Sequence, residues 1–375
     1  MKLETITRDL LKALAGVHSI TSGKGNIGPL SRVRVSTIKN KLHFYATDLE
    51  IFAEKQIEIQ GEADINTTVP ITPFYEIIRG LKEDAKITLL FKSVSGVITK
   101  MIIKTNLAEF SLPCRDPTDF PGHKGEESLY NFVISSGDLS FILLNTKHAI
   151  STDNARHYLN GGYLHVIQKD TATMLRIVST DGHRLALAET IIPEKSDLMP
   201  GVILPIKCIN ELCKLLQNIS GEINVGISKS IIKFNIGNTT LISKLIDAKF
   251  PDYEKVIPSE NSNLLEIQAI SLSKAVDLVS AVSSAKPKSI KITLKHNKLL
   301  VSVNDKSNSY AIIELPASYN GKEINIAFNA KYLLDILTAI SSPVVKFYFR
   351  SEIDPVLIKD CINANLQFIL MPMRT

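Results

Sequence analysis

Asp181-Gly182-His183-Arg184 is the stretch best equipped for chemistry, because an Asp close to a His could orient it as a general base. Such a base needs a nucleophile or a metal beside it, and no second cluster of His, Asp or Glu is evident. His157 and His165 are near in sequence but not at a metal-binding spacing. The other reading of the tetrapeptide is a tight Asp-Gly turn whose His and Arg face a binding surface, and the missing partners favour it. Ser22-Gly23-Lys24-Gly25 is rich in glycine, yet it lacks the spacing and the Gly-Lys-Ser/Thr ending of a phosphate loop. It reads either as a surface turn or as a flexible basic loop able to touch a phosphate backbone. Cys114, Cys208, Cys213 and Cys361 fit no metal or redox motif, and Cys208 and Cys213 fall on different faces of an expected helix. Four reduced, mostly packed thiols are expected, with no catalytic residue, no metal and no cofactor.

The elements that must position these residues repeat three times. Each copy runs roughly 125–135 residues and contains two amphipathic helices and two β-rich stretches. The first helices are expected near Arg8, Asp138 and Ser273, and the second near Pro73, Pro205 and Asn329. Their apolar stripes are clear: Leu10, Leu11, Leu14 and Val17 in the first, and Ile206, Ile209, Leu212, Leu215 and Leu216 in the fourth. Thr72-Pro73 looks like a cap followed by a first-turn proline. Ile87–Phe91 and Val97–Ile103 read as a hairpin around Ser93-Val94-Ser95-Gly96. Thr47-Asp48-Leu49-Glu50, Thr180-Asp181-Gly182-His183 and Asn304-Asp305 occupy equivalent turns. Each copy closes on a proline-containing segment, and the boundaries fall at residues 122–128 and 259–263.

A chain of 375 residues with 45% apolar and 22% charged residues suits two or three globular domains. Met1-Lys2-Leu3-Glu4 leads straight into helical patterning without a secretory signal, and no apolar run approaches the roughly 20 residues of a membrane helix. A cytoplasmic protein with no membrane contact is expected. The net charge of +5 allows nucleic acid as a partner without demanding it. Arg8, Lys12, Lys147, His148, Lys274, Lys286 and Lys288 lie on or near the opening helices of all three copies. They read either as solvated faces or as patches that an axial arrangement would aim at one centre. The C-terminal Ile369-Leu370-Met371-Pro372-Met373-Arg374 suits either packed core or the rim of an adaptable apolar groove.

Four segments carry a resemblance over the whole length: Arg156-His157-Tyr158-Leu159-Asn160-Gly161, Thr180-Asp181-Gly182-His183-Arg184-Leu185-Ala186, Phe250-Pro251-Asp252-Tyr253 through Val256-Ile257-Pro258, and Met371-Pro372-Met373-Arg374. In order and spacing the chain resembles the bacterial sliding clamps, the β subunits of replicative DNA polymerase III. The resemblance implies an α+β fold of three clamp-like domains, 1–125, 126–258 and 259–375, each with two helices on antiparallel sheets. It implies a head-to-tail dimeric ring that encircles double-stranded DNA and confers processivity without catalysis. It implies a peptide groove formed by Leu159, Thr180, Gly182, His183, Arg184, Leu185, Pro251, Val256, Ile369, Met371, Pro372, Met373 and Arg374. DNA contacts are implied at Lys24, Arg156 and Tyr158, and a dimer seam at Phe110 and Val282. The implied partners are a second copy of the chain, the clamp loader, the replicative polymerase α subunit, other polymerases, ligase and mismatch-repair proteins. His157 and Lys255 depart from the family pattern, which usually has Tyr and often Arg there. An enzyme using Asp181 and His183, or a peptide scaffold that does not encircle DNA, are the rival readings.

Overall fold

One motif is used six times: a strand, a helix, and a meander of three strands. The computed structural model describes residues 1–21, 28–60, 63–122, 126–169, 172–192, 199–217, 219–284, 287–304 and 309–373. The expected loop around Lys24, Asp305 of the third turn, Lys286 and Arg374 lie outside the described residues. In the first copy the motif runs β1 (Lys2–Ile6), α1 (Thr7–Thr21), β2 (Arg32–Ile38), β3 (Lys41–Thr47) and β4 (Ile51–Glu58). It then repeats as β5 (Asn66–Pro70), α2 (Ile71–Arg79), β6 (Lys86–Val94), β7 (Val97–Lys104) and β8 (Glu109–Pro113). The second copy has β9 (Tyr130–Ser135), α3 (Ser136–Thr146), β10 (Gly161–Lys169), β11 (Ala172–Thr180) and β12 (Arg184–Ile191). It continues with β13 (Val202–Pro205), α4 (Ile206–Leu216), β14 (Glu222–Ile227), β15 (Ile231–Ile236) and β16 (Thr239–Lys244). The third has β17 (Asn263–Gln268), α5 (Ala269–Ala281), β18 (Ser289–Lys295), β19 (Lys298–Asn304), β20 (Tyr310–Pro316) and the short β21 (Ser318–Tyr319). It ends with β22 (Ile324–Asn329), α6 (Ala330–Ala339), β23 (Val344–Phe349), β24 (Val356–Asp360) and β25 (Leu366–Leu370).

Each meander takes as its fourth strand the opening strand of the other motif in its own copy, so β6-β7-β8 recruits β1 while β2-β3-β4 recruits β5. The sheets then fuse through the last strands of their meanders. β4 pairs antiparallel with β16, setting Phe52 opposite Ile242. β12 pairs antiparallel with β25, setting Leu185 opposite Ile369. An eight-stranded and a nine-stranded sheet result, while β1-β6-β7-β8 and β20-β19-β18-β22 remain four-stranded. The chain divides into two compact units, residues 1–137 with 214–245 (unit 1) and residues 138–213 with 246–375 (unit 2). The division follows the fused sheets rather than the repeats, because a shared hydrogen-bonded ladder ties strands more closely than sequence neighbourhood does.

The helices cover the sheets with the faces that their periodicity marks. Leu10, Ala13, Leu14 and Val17 of α1 are fully buried, and α1 packs on α2 and on the β3–β4 hairpin. Phe44 and Phe74 meet in that layer at a ring separation of 6.3 Å. Five of the six helix starts lie within two residues of the sequence expectation. Asn329 caps α6, its side chain accepting from the Lys331 N–H at 3.0 Å. α5 instead begins at Ala269, four residues before Ser273, because β17 runs directly into it through Gln268, which makes no side-chain cap bond. Pro73 is the third residue of α2 rather than the first, with Pro70 at the cap. It is tolerated there because first-turn N–H groups have no intrahelical acceptor. Ser95 and Gly96 take φ values of 51° and 82° between β6 and β7, as a tight hairpin turn requires. All four cysteines are free; Cys361 is exposed, while Cys208 and Cys213 are both buried despite their spacing on α4. No described helix is long and apolar enough to cross a membrane.

The repeat extends to the turns. Asp48 accepts from the N–H groups of Glu50 and Ile51 at 3.0 and 2.8 Å. Asp181 accepts from those of His183 and Arg184 at 2.9 and 3.0 Å. The residue after each Asp is left-handed: Leu49 at φ 77° and Gly182 at φ 88°. A left-handed L-residue costs about 1–2 kcal/mol, from which the extra unfolded-state entropy of glycine subtracts about 0.5–1 kcal/mol. Leu49→Gly therefore raises stability by about 0.5 kcal/mol, read as a higher urea midpoint at unchanged slope. An unchanged or lower midpoint contradicts the account of this turn.

Candidate functional site

The residues of the expected groove lie in unit 2, around the ladder of β11, β12 and β25. Leu185 is 3% exposed and Ile369 3%, and Leu159, ending a short 3-10 segment, is 4% exposed. These three form one buried cluster with Val178, Leu187, Ile203, Phe250, Tyr253 and Leu357. Phe250 and Tyr253 belong to a segment that carries the resemblance but were not expected in the groove, and Val178, Leu187, Ile203 and Leu357 were not singled out from sequence, although period-two alternation places Val178 beside Thr180 and Leu187 beside Leu185 on one sheet face. Tyr158, Tyr163, Ile257 and Tyr348 pack on the cluster from its partly exposed side. Tyr158, expected at DNA, is half-buried and packs on this cluster. Phe250 stacks on Tyr163 at 5.0 Å and Tyr163 on His165 at 4.6 Å. A Cβ on Gly201 would lie 2.1 Å from the Tyr163 hydroxyl, so this ring needs a glycine beside it.

Above this floor stands a mixed rim. Val256 is 49% exposed and Met371 39%. His183 and Pro251 are exposed, while Pro372 and Met373 are half-buried. The C-terminal segment is held by its backbone: the Met371 N–H donates to the His183 carbonyl at 2.9 Å, and that of Met373 to the Ala327 carbonyl at 2.8 Å. Lys255 reaches away to Asp252 at 2.8 Å and is exposed.

Arg184 does not present its charge to the rim; it is 7% exposed. Its Nε donates to Asp181 at 3.1 Å, Nη1 to Asp335 at 2.6 Å and Nη2 to the His148 carbonyl. The guanidinium lies 4.2 Å from the centre of the Tyr332 ring. One side chain therefore ties the β11–β12 turn to α6 and to the segment after α3. His183 extends the contact by stacking on Tyr332 at 6.4 Å. The hydroxyl of Thr180 is spent within the turn, donating to the Arg184 carbonyl at 2.7 Å and accepting from the Gly182 N–H at 3.1 Å. A Cβ on Gly182 would meet the Arg156 guanidinium at 2.8 Å. Arg156 itself is half-buried and pairs with Asp153 at 3.0 Å.

Below the floor, Glu189 is 2% exposed and is held by Arg176 and by Lys169, the latter at 3.0 Å. Arg176 also donates to the Tyr253 hydroxyl at 2.8 Å. His165 lies 2.9 Å from the same hydroxyl. Burial and the neighbouring Arg176 bring His165 down to about 4. Burial and Arg184 do the same to His148, down to about 4. His148 is therefore neutral at physiological pH, which corrects its place among the phosphate-facing cations.

The geometry leaves no room for Asp181 as the orienting partner of a His183 base. Its carboxylate is engaged by two backbone N–H groups and by Arg184. Among the described residues no group of three or more His, Cys, Asp or Glu is placed to hold a metal. At the expected seam, Phe110 lies half-buried in β8, and Val282 half-buried at the C-cap of α5.

Comparison with known proteins agrees over the full length. Profiles of the DNA polymerase III beta subunit family match its N-terminal domain at residues 1–124, its central domain at 134–252 and its C-terminal domain at 254–374. The beta sliding clamp of Caulobacter vibrioides is 35% identical over 378 residues, covering all of both chains. That of Haemophilus influenzae is 28% identical over 375 residues, again covering all of both. The structure of a sliding clamp from Bartonella birtlesii bound to griselimycin superposes with a TM-score of 0.95 at 34% identity, covering 100% of each chain. These matches, on a chain built from three copies of two strand–helix–meander motifs, place it in the DNA polymerase III beta subunit family, the bacterial sliding clamps.

Proposed function

We propose that two copies of the chain close head to tail into a ring around duplex DNA and hold partner proteins by short peptide segments. As a member of its family, the chain is a DNA sliding clamp of polymerase III, a non-catalytic processivity subunit. The ring is supported above all by the rule that joins its sheets. The last strand of one meander pairs with the last strand of another: β4 with β16, and β12 with β25. Among the described strands, only β20 and β8 end their meanders without such a partner. Continuing the rule joins β20 of one protomer to β8 of the next, and two copies then satisfy every meander. The outer strand β20 exposes Tyr310 by 76% and Ile312 by 56%, a liability for a lone edge but suitable for a seam. Phe110 and Val282 are the seam residues of this reading, and residues 1–125, 126–258 and 259–375 are its three domains.

A ring needs no tight grip on its DNA. Weak contacts to phosphate carry no sequence information and permit sliding, while closure prevents escape. We assign these contacts to Lys24, Arg156 and Tyr158, to Arg8, Lys12 and Lys274 on the helices, to Lys147 in the short 3-10 turn after α3, and to Lys288 just before β18. The groove takes an extended segment with apolar side chains over Leu159, Leu185 and Ile369, under the rim of His183, Pro251, Val256, Met371, Pro372 and Met373. Partners held there, including the clamp loader, the replicative polymerase α subunit, other polymerases, ligase and mismatch-repair proteins, gain a high effective concentration at the DNA. The compartment of this reading is the cytoplasm.

Met373→Ala combined with His183→Ala lowers the affinity for a Gln-and-aromatic peptide about tenfold, the scale of losing rim contacts worth just over 1 kcal/mol. Calorimetry that finds the affinity unchanged removes the groove assignment. Lys24→Glu lowers DNA affinity and flattens its salt dependence by about one unit of slope per lost phosphate contact, leaving peptide affinity as it was. An unaltered salt slope removes Lys24 from the DNA path.

A further inference from the structure

The fusion of β4 with β16 builds in unit 1 what the fusion of β12 with β25 builds in unit 2. Thr47 to Phe52 spans the same number of residues as Thr180 to Leu185, so the two ladders correspond position by position. Phe52 opposite Ile242 stands for Leu185 opposite Ile369. Phe120-Pro121 closes the first copy as Phe250-Pro251 closes the second. One cross-strand pair changes its chemistry: Val178 opposite Leu187 in the groove floor becomes Tyr45 opposite Glu54.

A recess of about 510 Å³ lies over Phe52, Ile242, Phe120, Tyr45 and Glu54. A second recess, also of about 510 Å³, adjoins it through Arg34, Asn66 and Phe120. The described charged residues that line the two are Glu54, Asp64 and Asp116 against Arg34 alone. Arg34 is partly engaged already, donating to Asn66 at 3.0 Å and lying 5.8 Å from the centre of the Tyr45 ring. The Thr118 hydroxyl and N–H hold the Asp116 carboxyl below the usual carboxylate range, so it is ionised at neutral pH. Glu54 lies 2.7 Å from the His43 Nδ1 and faces the recess with a side chain 35% exposed.

We propose that this double recess in unit 1 is a second peptide-binding site, which takes an extended segment carrying a Lys or Arg beside an aromatic or branched aliphatic residue. The apolar side chain lies against Phe52, Ile242 and Phe120, and the cation meets Glu54 in one recess or Asp116 in the other. Length favours a peptide over a single small group, because the two recesses are contiguous. The class of ligand rests on the peptide reading of the unit 2 groove, whereas the preference for positive charge comes from unit 1 alone. The two sites thus discriminate by charge: carboxylates attract in unit 1 what an apolar floor in unit 2 has no reason to prefer.

The test is fluorescence anisotropy on the full-length chain with a labelled, capped Lys-Leu-Phe-Lys-Leu-Lys peptide and a counterpart with Glu for each Lys. The basic peptide binds and the acidic one does not. Glu54→Gln with Asp116→Asn weakens the basic peptide about tenfold, the scale of two partly exposed charge contacts. Met371→Lys, on the unit 2 rim, leaves it unchanged. Asp64→Asn, on the exposed side of the recess, gives a second readout should the double variant fail to fold. Loss of the basic peptide on Met371→Lys places it in the unit 2 groove and overturns the second site. Binding unaffected by every variant, or no binding at all, overturns it too. A Gln-and-aromatic peptide titrated in parallel reports separately on the unit 2 groove, so failure of one site is not mistaken for failure of the other.

Discussion

The pairing of one meander's last strand with another's is the interaction on which the rest of this structure depends. An outer strand carries a row of N–H and C=O groups that must find partners, and here each internal join supplies them from a different repeat. At β12 and β25 the join also sets the side-chain register. Leu185 opposite Ile369 puts both on the same face as Val178 and Leu187. A slip of one residue in β25 would turn Ile369 to the other face and take it out of the buried cluster. The ring and groove proposed above rest on this same pairing rule.

Arg184 shows how such a join is made rigid. Its guanidinium is shared among Asp181, Asp335, the His148 carbonyl and the Tyr332 ring. Removing one member of a buried charged network leaves the others uncompensated, so such a network acts as a unit. Its position behind the His183–Met371 backbone contact makes it a brace for the rim rather than a hand held out to the ligand. The same stretch that invites a catalytic reading is a mechanical part.

Much of this was legible in the sequence where the physics is local. Helical periodicity in α1 and α4, the asparagine cap of α6 and the Asp turns depend on residues a few positions apart. The family motifs marked Leu159, Leu185 and Ile369, which the fold packs into one buried cluster. Long-range geometry was not legible. Asp335 lies 151 positions from Arg184, and nothing near Arg184 announces that its charge turns inward. His148 was read among the basic residues of the opening helices, but the burial that keeps it neutral depends on distant segments, such as Phe368 beside its ring. The division into units was hidden for the same reason: β16 and β25 join β4 and β12 through ladders that local patterning does not encode.

Two equivalent ladders in one chain, one floored by aliphatic residues and the other bearing Tyr45 and Glu54, show how a repeated scaffold can keep its backbone and vary its chemistry. What a clamp must do topologically still rests on the strands that no internal partner covers. Small-angle X-ray scattering with absolute mass on the purified chain tests this most directly. The account predicts a mass near twice 41.4 kDa and a distance distribution with a central hollow. A compact particle of single-chain mass at every concentration measured would contradict it.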